Sequence, residues 1–337
     1  MSKAKDVVLF HAQCTDGMFA AYAHYLCKGS RANTVYIPVG YTGLRDKSPS
    51  EVVESLLCNI EDIEKRDVYI LDFSFDPVVL ELMGKKVNSV LILDHHLSAS
   101  KVYSDHYKEE AKNGILQLNI TDNTRVFFDM NRSGAMIAFN YFFPDISTEN
   151  VPTPFKWVQD RDLWKFEYGQ TKEFAAGIRH HTAMLDFKKV GDLQVLHNLL
   201  EHELSKVMST GTLLVTERED RVNREKKNGY KQVWINGQRV AFINAPLDIA
   251  SELGNSIVMD GRVGIAVIYV VAPGRSSDQR EDLPTVLCSI RSHDDVDSLF
   301  FAKHFGGGGH AQSNGCAISL EQLNRFLTVK GNHTLVK

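Results

Sequence analysis

A chain of 337 residues is too long for one small domain and sufficient for two, and its 43% hydrophobic and 24% charged content excludes a collagen-like, low-complexity or disordered polymer. A net charge of −4 excludes a surface that is basic throughout, so an extended groove tracking long nucleic acid is not expected; a small phosphorylated substrate needs none. The longest apolar runs, such as VGIAVIYVVA (263–272), stop at about ten residues against the ~20 of a spanning helix, so no contact with a membrane is expected. The N-terminus passes into a strand pattern without the h-region or cleavage site of a signal peptide, which points to the cytoplasm. Five cysteines with no Cys-x-x-Cys pair argue against a structural zinc site and against a disulfide framework.

In the first third, short apolar runs alternate with helix-like stretches. DVVLF (6–10) leads into an amphipathic stretch over 17–28, TVYIPV (34–39) precedes a helical pattern around 50–60, and DVYIL (67–71) precedes another at 77–86. SVLIL (89–93) follows, then a polar stretch, a strand RVFFD (125–129) and a helix over 133–143. Continuous apolar strands, rather than alternating ones, are those buried on both faces of a parallel sheet. The expected fold class is therefore α/β in two domains, the first a doubly wound, mainly parallel sheet. The helix GAMIAFNYFF (134–143) can serve a homodimer but is more simply a sheet-packing helix.

Residues 190–228 are helical and charged and read as a solvated helix leading into a linker. Then KQVWI and RVAFIN flank Asn236-Gly237, a strong signal for a two-residue hairpin. A helix near 248–259, strands at 263–271 and 284–291, a helix at 295–304, a glycine run at 306–309 and a strand near 316–320 complete a smaller α/β domain. The expected boundaries are 1–190, a helical linker over 191–229, and 230–330.

Three apolar strands end in metal-ligand residue types. DVVLF ends at His11, with Asp16 five residues on; DVYIL ends at Asp72; SVLIL ends at Asp94-His95-His96. In open parallel sheets ligands bind beyond the carboxyl ends of the strands, so these side chains are expected to converge. Carboxylates and imidazoles gathered there would be costly to desolvate without a cation among them, and mixed Asp/His ligation suits Mn²⁺, Fe²⁺, Zn²⁺ or Co²⁺ rather than Ca²⁺. Taken singly, His11 reads as a loop residue and Asp16 or Asp72 as a helix cap; the coincidence of the strand ends carries the metal reading. Asp160, in WVQDRDLW, is a candidate fourth acid with Asp162 its equal rival on sequence alone. Near the other end, FGGGGHAQSNG (305–315) offers backbone N–H groups and His310 to an anion, and Arg291 offers a phosphate fork or a surface ion pair with Asp294 or Asp295.

This ordered set resembles the DHH–DHHA1 phosphoesterase superfamily over nearly the whole chain, the DHH domain over 1–190 and the DHHA1 domain over 230–330 with a cleft between them. The resemblance implies a two-metal site, with Mn²⁺ the first choice and Mg²⁺, Co²⁺ or Zn²⁺ as alternatives. His11 and Asp72 would hold the first ion, and Asp16, Asp72, His95 and Asp160 the second, with Asp72 bridging. His96 would contact the scissile phosphate and Asp94 would orient the imidazoles, which with Asp72 makes the catalytic set. Arg291, Gly307, Gly308, Gly309 and His310 would grip the substrate. One position departs from the pattern: Cys14 stands where the family's first motif has an Asp. It is either a thiolate ligand favouring a softer ion or a bystander that leaves the first site weak.

The resemblance implies an activated water between two ions ~3.5–4 Å apart, attacking phosphorus in line. The expected substrate is a short RNA or DNA oligonucleotide, degraded from an end to mononucleotides. A phosphatase of a small phosphorylated nucleotide, such as phosphoadenosine phosphate or a cyclic-dinucleotide product, and an exopolyphosphatase are the enzymatic alternatives. A nucleotide-binding protein whose catalysis has decayed is a third reading, resting on Cys14. Phe19, Tyr41 and Phe75 lie near the motif loops; each could stack a base but reads more simply as core or rim.

Overall fold

Asp6–His11 forms β1 because five consecutive buried residues leave no solvated face, and the same holds for β4 below. The computed structural model describes residues 6–28, 34–40, 44, 46–272, 285–309, 312–328 and 331–335. They divide into two compact units, 1–215 and 216–337.

In the first unit, β1 leads to α1 (Thr15–Lys28), β2 (Val35–Val39), α2 (Pro49–Leu57), β3 (Asp67–Leu71), α3 (Pro77–Gly84) and β4 (Ser89–Asp94). Then come α4 (Leu97–Tyr107), β5 (Ile115–Thr121), β6 (Thr124–Asp129), α5 (Gly134–Phe142), α6 (Thr153–Asp162), α7 (Thr171–Thr182), α8 (Val190–His202) and α9 (Leu204–Asn228). The sheet order is β2-β1-β3-β4-β6-β5, parallel except for β5 against β6. Alternate residues of one strand enter different cores: Val8 and Phe10 pack with α1 and α5, while Val7 and Leu9 pack with residues of α2 and α3. This is the doubly wound arrangement, with a hydrophobic layer on each face of the sheet.

Local chemistry sets the helix starts. Ser48 and Glu51 form a reciprocal capping box with Pro49 at the first turn of α2, and Asp76 caps α3 ahead of Pro77. The stretch read as polar between β4 and β6 contains α4 and β5. Helix α4 buries only Ser100 and Tyr103, so it has no apolar stripe to betray it. The segment expected as a linker, 191–229, is two helices, and the division between units falls inside α9. Leu193, Leu196, Leu199 and Leu200 of α8 are part of the first unit's core.

The second unit is a seven-stranded sheet of order β11-β12-β10-β9-β8-β7-β13. Its strands are β7 (Lys231–Ile235), β8 (Gln238–Asn244), β9 (Ile265–Ala272), β10 (Thr285–Ser292), β11 (Gly308–Gly309), β12 (Ser313–Ser319) and β13 (Asn332–His333), with helices α10 (Ala250–Met259), α11 (Leu299–His304) and α12 (Leu320–Thr328). Asn236 and Gly237 join β7 to β8 with φ of 49° and 77°, the left-handed pair that a two-residue hairpin needs. Among the described residues no helix is long and apolar enough to cross a membrane.

Helices α7 and α9 meet backbone to backbone within the first unit. A Cβ on Gly211 would stand 1.8 Å from the Glu173 carbonyl oxygen, and one on Gly177 2.0 Å from that of Val207. Neither obstacle can rotate away. We expect Gly211→Ala to lower stability by about 3 kcal/mol, the upper end of overpacking costs, read as an earlier guanidinium midpoint with unchanged slope.

Candidate metal centre

Strand register brings the site together. Phe10 lies opposite Leu71, and Leu71 opposite Leu93, so the residues that follow, His11, Asp72 and Asp94, emerge along one edge of the parallel sheet. Asp72 adopts φ +54°, a left-handed conformation uncommon for a residue with a Cβ, and its N–H donates to the Leu93 carbonyl at 2.9 Å. Gly134 at the start of α5 presses directly on it: a Cβ there would stand 2.5 Å from Asp72 Cβ and 2.8 Å from Oδ1.

Asp72 is 1% exposed and ringed by imidazoles. His11 Nδ1 is 3.4 Å from Oδ2, His95 Nε2 is 3.2 Å from Oδ1, and His96 Nδ1 is 3.9 Å from Oδ1. Neither Asp72 oxygen accepts a well-formed hydrogen bond. Asp16, also buried, accepts from the Gly134 and Ala135 N–H groups at 2.6 and 2.9 Å, the start of α5 where helix N–H groups have no partner of their own. His95 Nε2 is 3.6 Å from Asp16 Oδ2 and 3.5 Å from Asp162 Oδ2, so three carboxylates face one imidazole.

Asp94 is engaged differently. Its Oδ1 accepts from the His95 N–H and from His96 Nδ1, each at 2.7 Å, and its Oδ2 accepts from the Ser74 hydroxyl at 2.6 Å. Ser74 has no sequence signal of its own, being one small residue in an apolar turn.

The electrostatics describe a site charged beyond what its own groups neutralise. Burial pushes the Asp16 carboxyl well up, helped by Asp162 and Asp72, and burial likewise raises Asp162. Burial would raise Asp72 too, but His11, His95 and His96 outweigh it and hold it below the usual carboxylate range. Burial works against a charged His95, yet Asp72, Asp16 and Asp162 push its pKa up to about 10. His96 is also raised, with burial overcome mainly by Asp94. The Cys14 thiol is pushed up by burial and then by Asp72 and Asp16.

These residues fit divalent ions. One donor set is His11, Cys14 and Asp72 and another is Asp16, His95 and Asp162, each with its donor atoms within 4.8 Å of one another. Asp72 turns one oxygen to His11 and the other to His95, which suits a bridging carboxylate. Oxygen and nitrogen donors make the second set hard or borderline, while the Cys14 sulfur makes the first softer.

The fourth acid requires a correction. Asp160, expected as a ligand, faces away from the cluster: its carboxylate accepts from the Glu167 N–H at 2.8 Å, the Tyr168 N–H at 3.1 Å and the Thr171 hydroxyl. Asp162 is the acid beside His95. Residues two apart on a helix point about 200° apart, so only one of the pair can serve the site.

In the second unit, Arg291 donates to Ser251 Oγ at 2.6 Å, Ser289 Oγ at 3.2 Å and the Ile290 carbonyl at 2.7 Å; Asp295 pairs with His293. Gly308 and Gly309 form β11 against β12, and the Gly307 N–H donates to the Ala302 carbonyl, which commits the donor expected to face an anion. His310 and Tyr41 lie outside the described residues. Phe19 and Phe75 are 0% and 6% exposed and belong to the two cores, so neither stacks a base.

No protein-family profile matches the chain. It is 24% identical over 326 residues to the uncharacterized protein R106 of Acanthamoeba polyphaga mimivirus, covering 93% of this chain and 68% of that one. It is 22% identical over 293 residues to oligoribonuclease NrnB of Bacillus subtilis (strain 168), covering 82% of this chain and 65% of that one. The chain thus spans about two thirds of the length of these curated relatives. Among solved structures, the pGpG-specific phosphodiesterase PggH of Vibrio cholerae shares the fold, with TM-score 0.50, 12% identity and 95% coverage of both chains.

Two substitutions separate the acids of α6. Asp162→Ala should weaken Mn²⁺ binding in calorimetry by at least about tenfold while the melting temperature of the metal-free protein holds or rises, since an uncompensated carboxylate is removed. Asp160→Ala should do the reverse, costing about 3 kcal/mol of stability through its three lost acceptor bonds. Gly134→Ala should abolish Mn²⁺ binding without removing any candidate ligand, because Asp72 must move.

Proposed function

We propose that the chain is a member of the DHH–DHHA1 superfamily of phosphoester hydrolases, a metal-dependent phosphodiesterase releasing mononucleotides from an end of short oligonucleotides. The observation that carries this reading is Asp72: a buried carboxylate with two orphaned oxygens, one toward His11 and one toward His95, beside Asp16 and Asp162. Divalent ions bound there supply Lewis-acid stabilisation of phosphoryl oxygens and a water acidic enough to attack near neutral pH.

The chain's own groups do the rest. Asp16 is held by two N–H groups of α5, and the Asp72 backbone is fixed by its N–H bond to the Leu93 carbonyl, so both carboxylates are preorganised. Asp94 accepts from His96 Nδ1, which fixes the tautomer and leaves Nε2 for a phosphoryl oxygen. Asp94 raises the His96 pKa against the burial that lowers it, which favours the cationic form suited to charge that grows on the phosphoryl group. We assign Arg291, Gly308, Gly309 and His310 to substrate binding; Arg291 has donors beyond those spent on Ser251, Ser289 and the Ile290 carbonyl. Cys14 joins His11 and Asp72 as the third donor of the first set.

Short substrates are favoured by the net charge of −4, which supplies no extended basic track, and NrnB is named an oligoribonuclease. The second reading, hydrolysis of a small nucleotide, is favoured by the fold shared with a pGpG-specific phosphodiesterase.

The test is Mn²⁺-dependent hydrolysis of a panel: end-labelled RNA and DNA of increasing length from the dinucleotide, phosphoadenosine phosphate, cyclic dinucleotides and polyphosphate. Fastest turnover of the shortest oligomers supports the proposal, and preference for phosphoadenosine phosphate or polyphosphate replaces it with a phosphatase. Removing a partner outside the metal shell costs 10–100-fold, so Asp72→Ala should cost at least about a hundredfold. Chelation should abolish turnover, and Mn²⁺ should restore it.

A further inference from the structure

Immediately after Asp162 the chain presents an aromatic side chain to solvent that the metal centre does not use. Trp164 is 42% exposed, although large aromatic residues usually find cover. It lies two residues beyond Asp162, and two residues of chain span at most about 7 Å. We propose that Trp164 is the stacking platform for the nucleobase of the nucleotide whose phosphate is attacked at the Asp72–His95–Asp162 cluster, a specificity determinant that rests on the phosphodiesterase reading above.

The platform is rigid and flanked by cations. The Arg161 guanidinium lies 4.1 Å from the Trp164 ring centroid and 5.5 Å from that of Phe166; Lys172 Nζ lies 5.5 Å from the Phe166 ring. Phe166 meets Trp164 edge to face, centroids 4.9 Å apart at 78°. Both aromatic residues hold left-handed backbone, φ +57° and +53°, which costs energy at positions that carry a Cβ. Asp160 meets that cost: its carboxylate takes the Glu167 and Tyr168 N–H groups and the Thr171 hydroxyl, while its carbonyl accepts the Lys165 N–H at 2.9 Å. The same helix end therefore aims one carboxylate at the metal centre and uses another to pin the loop carrying the indole. Bases stack on indole and guanidinium planes alike, and every base has a face to offer, so such a platform selects nucleotides over bare phosphates without reading sequence.

The test compares the dinucleotide pApA with an analogue whose bases are replaced by hydrogen. Stacking contributes about 1–3 kcal/mol per base, so Trp164→Ala should raise KM for pApA about tenfold, change kcat much less, and leave KM for the abasic analogue nearly unmoved. Trp164→Phe should recover most of the loss. Equal effects on both substrates, or a fall in kcat alone, would overturn the platform and leave Trp164 a support for Asp162. A titration with AMP separates this from the reaction itself. Quenching of tryptophan fluorescence in the wild-type protein should vanish in Trp164→Phe, and quenching that persists there overturns the assignment. If the wild-type protein cleaves neither substrate, the phosphodiesterase reading falls, while the AMP titration still decides whether a base stacks on Trp164.

Discussion

Burying a carboxylate without hydrogen-bond partners is among the most expensive things a fold can do, and the first unit does it at Asp72. Everything around the site follows from managing that charge. The parallel register delivers His11, Asp72 and Asp94 to one edge. Three imidazoles surround Asp72, α5 turns its N-terminal N–H groups to Asp16, and Asp94 is drawn off to hold His96. What remains is His95 facing Asp16, Asp72 and Asp162, an excess of negative charge suited to a cation.

The sheet and its working edge were legible because the strands are short apolar runs that stop abruptly at polar residues: DVVLF at His11, DVYIL at Asp72, SVLIL at Asp94. The Asn236-Gly237 hairpin was legible for an equally local reason, two positions that need positive φ. Helices α4, α6 and α7 left no comparable trace. Helix α4 packs through Ser100 and Tyr103, α6 begins among Pro152 and Pro154, and α7 buries only Phe174 and Ile178 as large side chains, beside Thr171, Ala176, Gly177 and Thr182.

At the site, residue type could be read but direction could not. In Asp-Arg-Asp, either acid satisfies a ligand motif; which one reaches His95 depends on the phase of α6, set by Phe155, Trp157 and Val158 packing into the core, which buries Asp160 and leaves Asp162 beside the site. The aromatic residues singled out beside the motifs, Phe19 and Phe75, are core, whereas Trp164 was hidden by its place in an apparently ordinary helix end. Burial decides such roles, and burial belongs to the folded chain.

The candidate ligands come from the end of β1, the turn after it and the start of α1, the ends of β3 and β4, and the end of α6, so they span residues 11–162. An ion held by all of them would close loops of very different length at once, as a non-covalent cross-link. Without it, the same carboxylates repel one another and favour local opening at that edge. Metal supply would then govern how long each molecule survives proteolysis as well as how fast it works.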